Sequence, residues 1–238
     1  MSATVRGPGR GLSRPASVTS RAGLVLYLEL VLKPRLLADL PAGRAQGWHD
    51  GQMMLALVLL NVAGLDSVSD IDRLEEDRGL ARLVRSYEGR ILGVSKRTLE
   101  ARFRGGRERC FPSPRSLRDW PDRFHDPATC VHFGEARVPS KPACHGMIDE
   151  VFRRLLARGV AQAAVTDVTI DPDATVIDAG KRDCLHTYRG ATGKVPGERG
   201  YQPLVAFVPE LGMAPWVEMR DGNVPASWDN DRGVLETL

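Results

Sequence analysis

Two aspartates and a threonine in the stretch VTIDPDATVIDAGKRD, residues 168–183, have the types and spacing for phosphate chemistry. An apolar alternating run ends at Asp171, Asp173 and Thr175 follow, and Val176–Ile177 form a second apolar run behind them. In a strand, the period of two places Asp171, Asp173 and Thr175 on one face. Two carboxylates about 6–7 Å apart along a strand give a divalent cation hard oxygen ligands, and a phosphate ester a place to react. Asp-Pro-Asp is equally ordinary turn chemistry between strands, and the residues alone leave both readings open.

Two enzyme classes fit such a strand. In a two-metal nuclease or strand-transfer enzyme, an acid on the first strand of a meander shares Mg²⁺ with acids from later elements. The metals then activate water or a 3′-hydroxyl and stabilise the leaving oxygen. In a phosphotransferase of the haloacid-dehalogenase-like kind, IDPDAT satisfies the local pattern DxDxT, with Asp171 as nucleophile and Asp173 as acid/base. That second reading calls for a parallel sheet with a crossover helix or cap, whereas turn-linked strand candidates follow here.

Other chemistry finds little support. Cys130-x-His132 and Cys144-His145 lack zinc spacing, and adjacent Cys-His residues rarely point at one metal. His49, beside Trp48, reads as a satisfied loop histidine, and His186 beyond the acidic strand could touch a phosphate or cap a turn. Gly190–Gly200 holds Lys194 but not the order GxxxxGK[ST] of a nucleotide loop. No Ser/His/Asp or Cys/His set has a placement signal.

An apolar content of 42% with 26% charged residues describes a soluble globular protein, of one large domain or two small ones. The net charge of +3 says little about partners. The four scattered cysteines, without CxxC, read as reduced thiols of a cytosolic protein. The leader MSATVRGPGRGLSRPAS has no apolar core behind it and reads as disordered rather than as a signal peptide. Met53–Val62 is far too short for a membrane span.

Four segments follow: a disordered basic leader over 1–18, a helical region over 19–126, a linker with an amphipathic helix over 127–160, and a domain over 161–238. In the helical region, Thr19 or Ser20 could cap a helix over Leu24–Leu37 that Pro34 interrupts. A helix over Gln52–Val62 stops at Gly64, Ser69 with Asp72 starts another in a capping box, and Leu80–Tyr87 makes one more. Ser113 caps a helix with Pro114 at its first position, and its stripe Leu117, Trp120 and Phe124 makes Trp120 a core residue. Asp149–Arg158 forms an amphipathic helix ending at Gly159. Strands follow at Val165–Ile170, in YQPLVAFVPE and in PWVEMR, a three-strand β-meander opening an α/β domain. WDNDRGVLETL reads as the start of a helix.

Between Arg78 and Arg118 there are twelve Lys/Arg and three Asp/Glu, a block that favours a polyanion. Arg97, Arg102, Arg104, Arg107 and Arg109 are its candidate DNA contacts, several of them beside Gly105–Gly106 on what reads as a mobile loop. A solvated basic face near the acidic DRLEED is the bland alternative.

In order, GWHDGQMMLALVLLNVAG, SVSDIDRLEED, PSPRSLRDWPDRFHD, TIDPDATVIDAGKRD, YRG, GYQPLVAF and RDGNVPAS resemble DDE-type insertion-sequence transposases, cut-and-paste enzymes with an RNase H-like core. The succession covers about residues 18–228 and is more specific than any single motif. The resemblance implies a helical N-terminal part that binds double-stranded DNA at terminal inverted repeats, and an RNase H-like domain needing Mg²⁺ or Mn²⁺. It implies Asp173 as first catalytic acid and metal ligand, with Asp171 as the alternative. Arg220 and Asn223, in the Arg-x-Gly-Asn motif, would organise the site or meet the DNA backbone. Family members continue to a second aspartate and a distant glutamate. Asp221 and Glu236 are not in the places expected for those roles, so the chain reads as a truncated transposase, inactive alone. It could still bind DNA, form a homo-oligomer, or regulate a full-length relative by co-assembly. Its place would be the cytoplasm, on the nucleoid.

Overall fold

Leu24 and Leu28, one turn apart, are buried on α1 (Gly23–Leu32), which packs against α2 (Asp50–Val62) and α4 (Arg78–Leu92). The computed structural model describes residues 19–32, 37, 46–124, 131–133, 136–138, 145–178, 188–189 and 199–231. Two units emerge, Met1–Trp120 and Pro121–Leu238. Pro34, His186 and most of Gly190–Gly200 lie outside the described residues.

The first unit continues through a 3₁₀ turn at Val68–Asp70, α3 (Ile71–Glu76), α4, α5 (Lys96–Ala101) and α6 (Pro114–Asp119). Leu55, Leu59, Ile71, Leu74, Leu80, Ile91, Leu99 and Phe111 are buried in it. Several expected boundaries move for identifiable reasons. Thr19 and Ser20 do not cap α1; their hydroxyls donate to the Asp77 carboxylate at 2.8 and 3.0 Å. Asp77 also accepts from the Leu80 N–H, so it is the cap of α4. Burial alone would raise the Asp77 carboxyl, but the bonds from Leu80, Thr19 and Ser20 outweigh it and hold it low. The capping box is Ser67 with Asp70, rather than Ser69 with Asp72. α4 runs past Tyr87 to Leu92, where Gly93 turns left-handed, and α5, capped by Ser95, was not foreseen. The Ser113–Pro114 start is as expected.

The segment WHDGQ proves to be a packing device. His49 is the N-cap of α2 rather than a loop residue: Nδ1 accepts the Gly51 N–H at 3.0 Å, and Gln52 Oε1 accepts the His49 N–H at 2.9 Å. Asp50 accepts from Trp120 Nε1 at 2.8 Å, fixing the foreseen core tryptophan. A Cβ at Gly51 would lie 2.3 Å from Leu92 Cδ2 and 3.2 Å from the Leu37 carbonyl, so only glycine admits α4 this closely.

Because Nδ1 must stay an acceptor, the cap requires neutral imidazole. Burial is the main cause lowering the His49 pKa, with Arg102 adding to it and Asp50 opposing. The unfolded chain therefore takes up this proton first. Stability from this site is complete above about pH 6.5, the unfolded value, and is lost as pH falls from there through the lower folded value. Urea melts from pH 7.5 to 5 should show that decline, and His49→Asn, a cap that does not titrate, should flatten it. An unchanged pH profile in His49→Asn would count against this assignment.

In the second unit, β1 (Val131–Phe133) and β2 (Ala136–Val138) form an antiparallel hairpin within the expected linker. α7 (His145–Ala163) follows, then β3 (Asp171–Ala174), β4 (Ile177–Asp178), β5 (Tyr188–Arg189), β6 (Arg199–Tyr201), β7 (Leu204–Val208) and β8 (Met213–Glu218). The sheets are β3-β7-β8 and β4-β6-β5, and every pairing among the described residues is antiparallel. The parallel order that the phosphotransferase alternative calls for is not seen among them. α7 does not stop at Gly159. The missing side chain there lets the helix approach β8 and the 3₁₀ turn Pro209–Leu211, a Cβ falling 3.2 Å from Leu211 Cδ1.

The strand expected at Val165–Ile170 forms later, at Asp171. Continued back from Asp171, the register sets Ile170 opposite Val208, the last residue of β7, and Thr169 opposite Pro209, where the 3₁₀ turn begins. The Thr169 N–H donates instead to the Glu210 carboxylate. The run YQPLVAFVPE likewise divides between two sheets, because Pro203 has no N–H to continue a ladder. Its carbonyl accepts the Thr175 N–H at 3.1 Å. Leu204, Ala206 and Trp216 form the buried face of the β3-β7-β8 sheet, with Ile170 and Ala174 packed on them.

Candidate functional site

Asp171 and Asp173 are both exposed and alternate along β3 with half-buried Pro172 and Ala174. Their Cα partners on β7 are Phe207 and Val205. Across β7, Val205 faces Val217 of β8. Phe207 at 41% and Val217 at 44% exposure show that this side of the sheet is open. β3 is an edge strand: β7 lies on one side, and among the described residues no strand pairs with the other. Thr175, also exposed, follows immediately. The strand thus carries two carboxylates about 6–7 Å apart on one open face. Among the described residues, no three His, Cys, Asp or Glu side chains group as a metal site.

The basic block divides by environment. Arg97, on α5, and Arg104 are exposed. Arg102 donates through Nε to the Gly47 carbonyl at 2.8 Å and through NH2 to that of Trp48 at 3.4 Å. Arg107 is buried, with an ion pair to Glu88 and bonds to the carbonyls of Arg109 and Cys110 at 2.8 and 2.5 Å. Its guanidinium also lies 4.5 Å over the Trp48 ring. Arg109 pairs with Asp72 at 2.5 Å. Outside the expected set, Arg85 forms a two-pronged pair with Glu100 at 2.8 and 2.6 Å. That pairing raises the Arg85 pKa and lowers that of Glu100 against the effect of burial.

These bonds make the RGGRERC segment part of the packing instead of a mobile loop. Glu75 completes it by accepting the N–H groups of Cys110 and Phe111 at 3.0 and 2.7 Å. One signal for this was readable: Glu88 falls on the stripe of Leu80, Val84 and Ile91, and a carboxylate on an apolar stripe requires a cation.

Arg220 is 1% exposed. Its Nε donates to Glu218 at 2.6 Å, its NH1 to the Trp228 carbonyl at 2.7 Å, and its guanidinium lies 5.4 Å from the Trp228 ring centroid. Asn223, three residues on, is exposed in the turn that Arg220 holds. These contacts tie Arg220 to Glu218 on one side and to the Trp228 turn on the other. Among the described residues no helix is long and apolar enough to cross a membrane. Compared with protein-family models, with curated proteins and with solved structures, the chain has no match.

Proposed function

We propose that this chain is a DNA transposition protein of the DDE type, with a helical DNA-binding unit and a second unit that opens an RNase H-like domain. The observation that carries the reading is the antiparallel succession β3-β7-β8 with Asp171 and Asp173 on the exposed face of its first strand. An RNase H-like sheet likewise opens with antiparallel strands, the first of which carries the first acid; here β4, β5 and β6 intervene in the chain between β3 and β7. The ordered motifs from GWHDGQ to RDGNVPAS support the same reading.

The residues suit the donor chemistry of Mg²⁺ or Mn²⁺, since both offer hard carboxylate oxygens and Mg²⁺ is held by one or two carboxylates with waters and substrate phosphates. Asp173, directly before Ala174–Thr175, is the principal ligand and Asp171 its neighbour. A cation held there supplies Lewis-acid polarisation of a phosphoryl oxygen. The chain's own contribution is to fix the two carboxylates on a strand whose opposite face is locked by Leu204, Ala206 and Trp216.

Two readouts on the purified chain test the reading. Gel shifts should show a terminal-repeat duplex retained over a scrambled one at about 150 mM salt, where backbone binding alone is weak. Mn²⁺ titration should show affinity falling at least about tenfold in Asp171→Asn/Asp173→Asn, the scale of losing ligands. Equal, salt-labile binding to both duplexes, with Mn²⁺ uptake indifferent to the double substitution, overturns the proposal.

A further inference from the structure

α4 is the most strongly two-faced helix of the first unit. Leu80, Ala81, Val84, Glu88, Ile91 and Leu92 are buried on it, whereas Arg78, Arg82, Ser86 and Arg90 are exposed. These four exposed positions are successive steps of four residues, one oblique ridge of the helix surface. At about 1.5 Å rise per residue the ridge climbs about 6 Å per step and about 18 Å in all. It carries three arginines, one serine and no acid.

From this we infer that the Arg78–Arg82–Ser86–Arg90 ridge is the surface of the first unit that takes the phosphate backbone of double-stranded DNA. The inference rests on the transposition reading and deepens it, moving the main contact from the RGGRER segment to α4. Around that segment Arg102 bonds the carbonyls of Gly47 and Trp48, Arg107 pairs with Glu88 and Arg109 with Asp72, which leaves Arg104 as its exposed arginine. Binding a phosphate through Arg107 or Arg109 would strip a carboxylate of its cation, at a cost the new contact must first offset. Arg78, Arg82 and Arg90 are exposed, and a pairing that an exposed arginine makes within the fold is worth little, so exchanging it for a phosphate costs little. Arg90 lies 5.3 Å over the Tyr87 ring, a stack on a ring face that consumes no N–H donor.

Rigidity favours the same surface. Asp77 caps the start of α4, Gly93 closes its end in the left-handed region, and the opposite face is packed in the core. The cations are therefore arrayed before binding, which reduces the ordering cost. The Asp77 carboxylate beside Arg78 accepts bonds from Thr19, Ser20 and Leu80, so part of its charge is answered within the fold. A duplex presents a phosphate every 3.4 Å or so along each strand, so an 18 Å ridge, or about that length, can meet several. Single-stranded nucleic acid is a poorer fit, because it is held chiefly by stacking on open rings, and the ring on this side, Tyr87, is covered by Arg90. A membrane surface would require the apolar face of α4, which is buried. Contacts of this kind supply affinity and orientation, without base selectivity.

The test is fluorescence anisotropy with the whole chain and a labelled duplex between 50 and 200 mM salt. Arg78→Gln/Arg82→Gln/Arg90→Gln should reduce the slope of log K against log salt by about 2 to 3, near 0.9 for each phosphate no longer neutralised. Affinity at 100 mM should fall at least about tenfold. The corresponding triple Lys variant, which keeps the charges, should retain most of the slope. A charge-matched control, Arg153→Gln/Arg154→Gln/Arg158→Gln on α7, should leave it unchanged, and circular dichroism should show equal helix content throughout. An unaltered slope in the ridge variant, or an equal loss in the α7 control, overturns the inference alone. Failure of the unsubstituted chain to bind any duplex at 50 mM salt overturns the transposition reading and the inference together. A loss confined to single-stranded DNA overturns the duplex assignment.

Discussion

Arg107→Ala is expected to destabilise the helical unit by about 3–5 kcal/mol, the cost of breaking a buried ion pair from one side. The side chains of Arg107 and Glu88 are only 1% and 2% exposed. Without the guanidinium, the Glu88 carboxylate keeps the Gln52 amide at 2.8 Å and loses its counter-charge. The carbonyls of Arg109 and Cys110 lose their donor, and Trp48 and Phe103, in edge-to-face contact with each other, lose the cation beside their rings. Arg107→Lys should recover little, because an ammonium cannot reach a carboxylate and two carbonyls through one planar fork. Arg107→Met with Glu88→Leu should recover part of the loss by removing the stranded charge, leaving the two carbonyls and Gln52 short of partners. Urea unfolding followed at 222 nm measures all three. A loss under about 1 kcal/mol in Arg107→Ala, the size expected of an exposed pair, would contradict the network.

This network also marks the limit of what the sequence disclosed. A basic block announces charge, and charge alone cannot tell a phosphate from a carboxylate folded back from another helix. The partners of Arg107, Arg109 and Arg85 are Glu88, Asp72 and Glu100, and only the packing of α3, α4 and α5 brings these pairs together. Local signals fared better. Ser113–Pro114 opened α6, Gly64 followed α2, and the alternation in LVAFV and PWVE gave β7 and β8, since each depends on neighbours in the chain.

Of the candidate site, the shared face of Asp171 and Asp173 was legible because strand alternation depends on nothing beyond two residues. Where β3 begins was not, since that is decided by Pro209, nearly forty residues later, ending the opposite strand. Gly159 was read as a helix stop for a related reason: a glycine in an amphipathic run is ambiguous until the surface it approaches is known. That surface is the Leu211–Met213 segment.

Arg220 makes the division between fold and DNA contact testable, and Arg220→Ala should cost about 3 kcal/mol, the lower end for a buried pair broken from one side. The lower end is chosen because its NH2 nitrogen is buried without a hydrogen-bond partner among the described residues, a penalty the native fold already carries and the substitution removes. What is lost is the counter-charge of buried Glu218, the bond to the Trp228 carbonyl and the stack on its ring. The Arg220 carbonyl also accepts the Gln202 N–H at 3.0 Å, and Tyr201 bridges Asp221, so the backbone pairing to β6 remains when the side chain is cut. The damage should therefore concentrate in residues 221–228, where Val224 packs with Val138 and Trp228. Hydrogen exchange should rise there before it rises in Leu204–Val208. A role in holding the fold and a role in gripping phosphate then separate cleanly. In the first, Arg220→Lys loses stability because an ammonium cannot serve Glu218 and the Trp228 carbonyl while stacking on the ring, yet the salt slope of DNA binding is preserved. In the second, Arg220→Lys keeps its stability and the Ala variant drops the slope by about one. With the guanidinium enclosed by Glu218 and Trp228, the first pattern is expected.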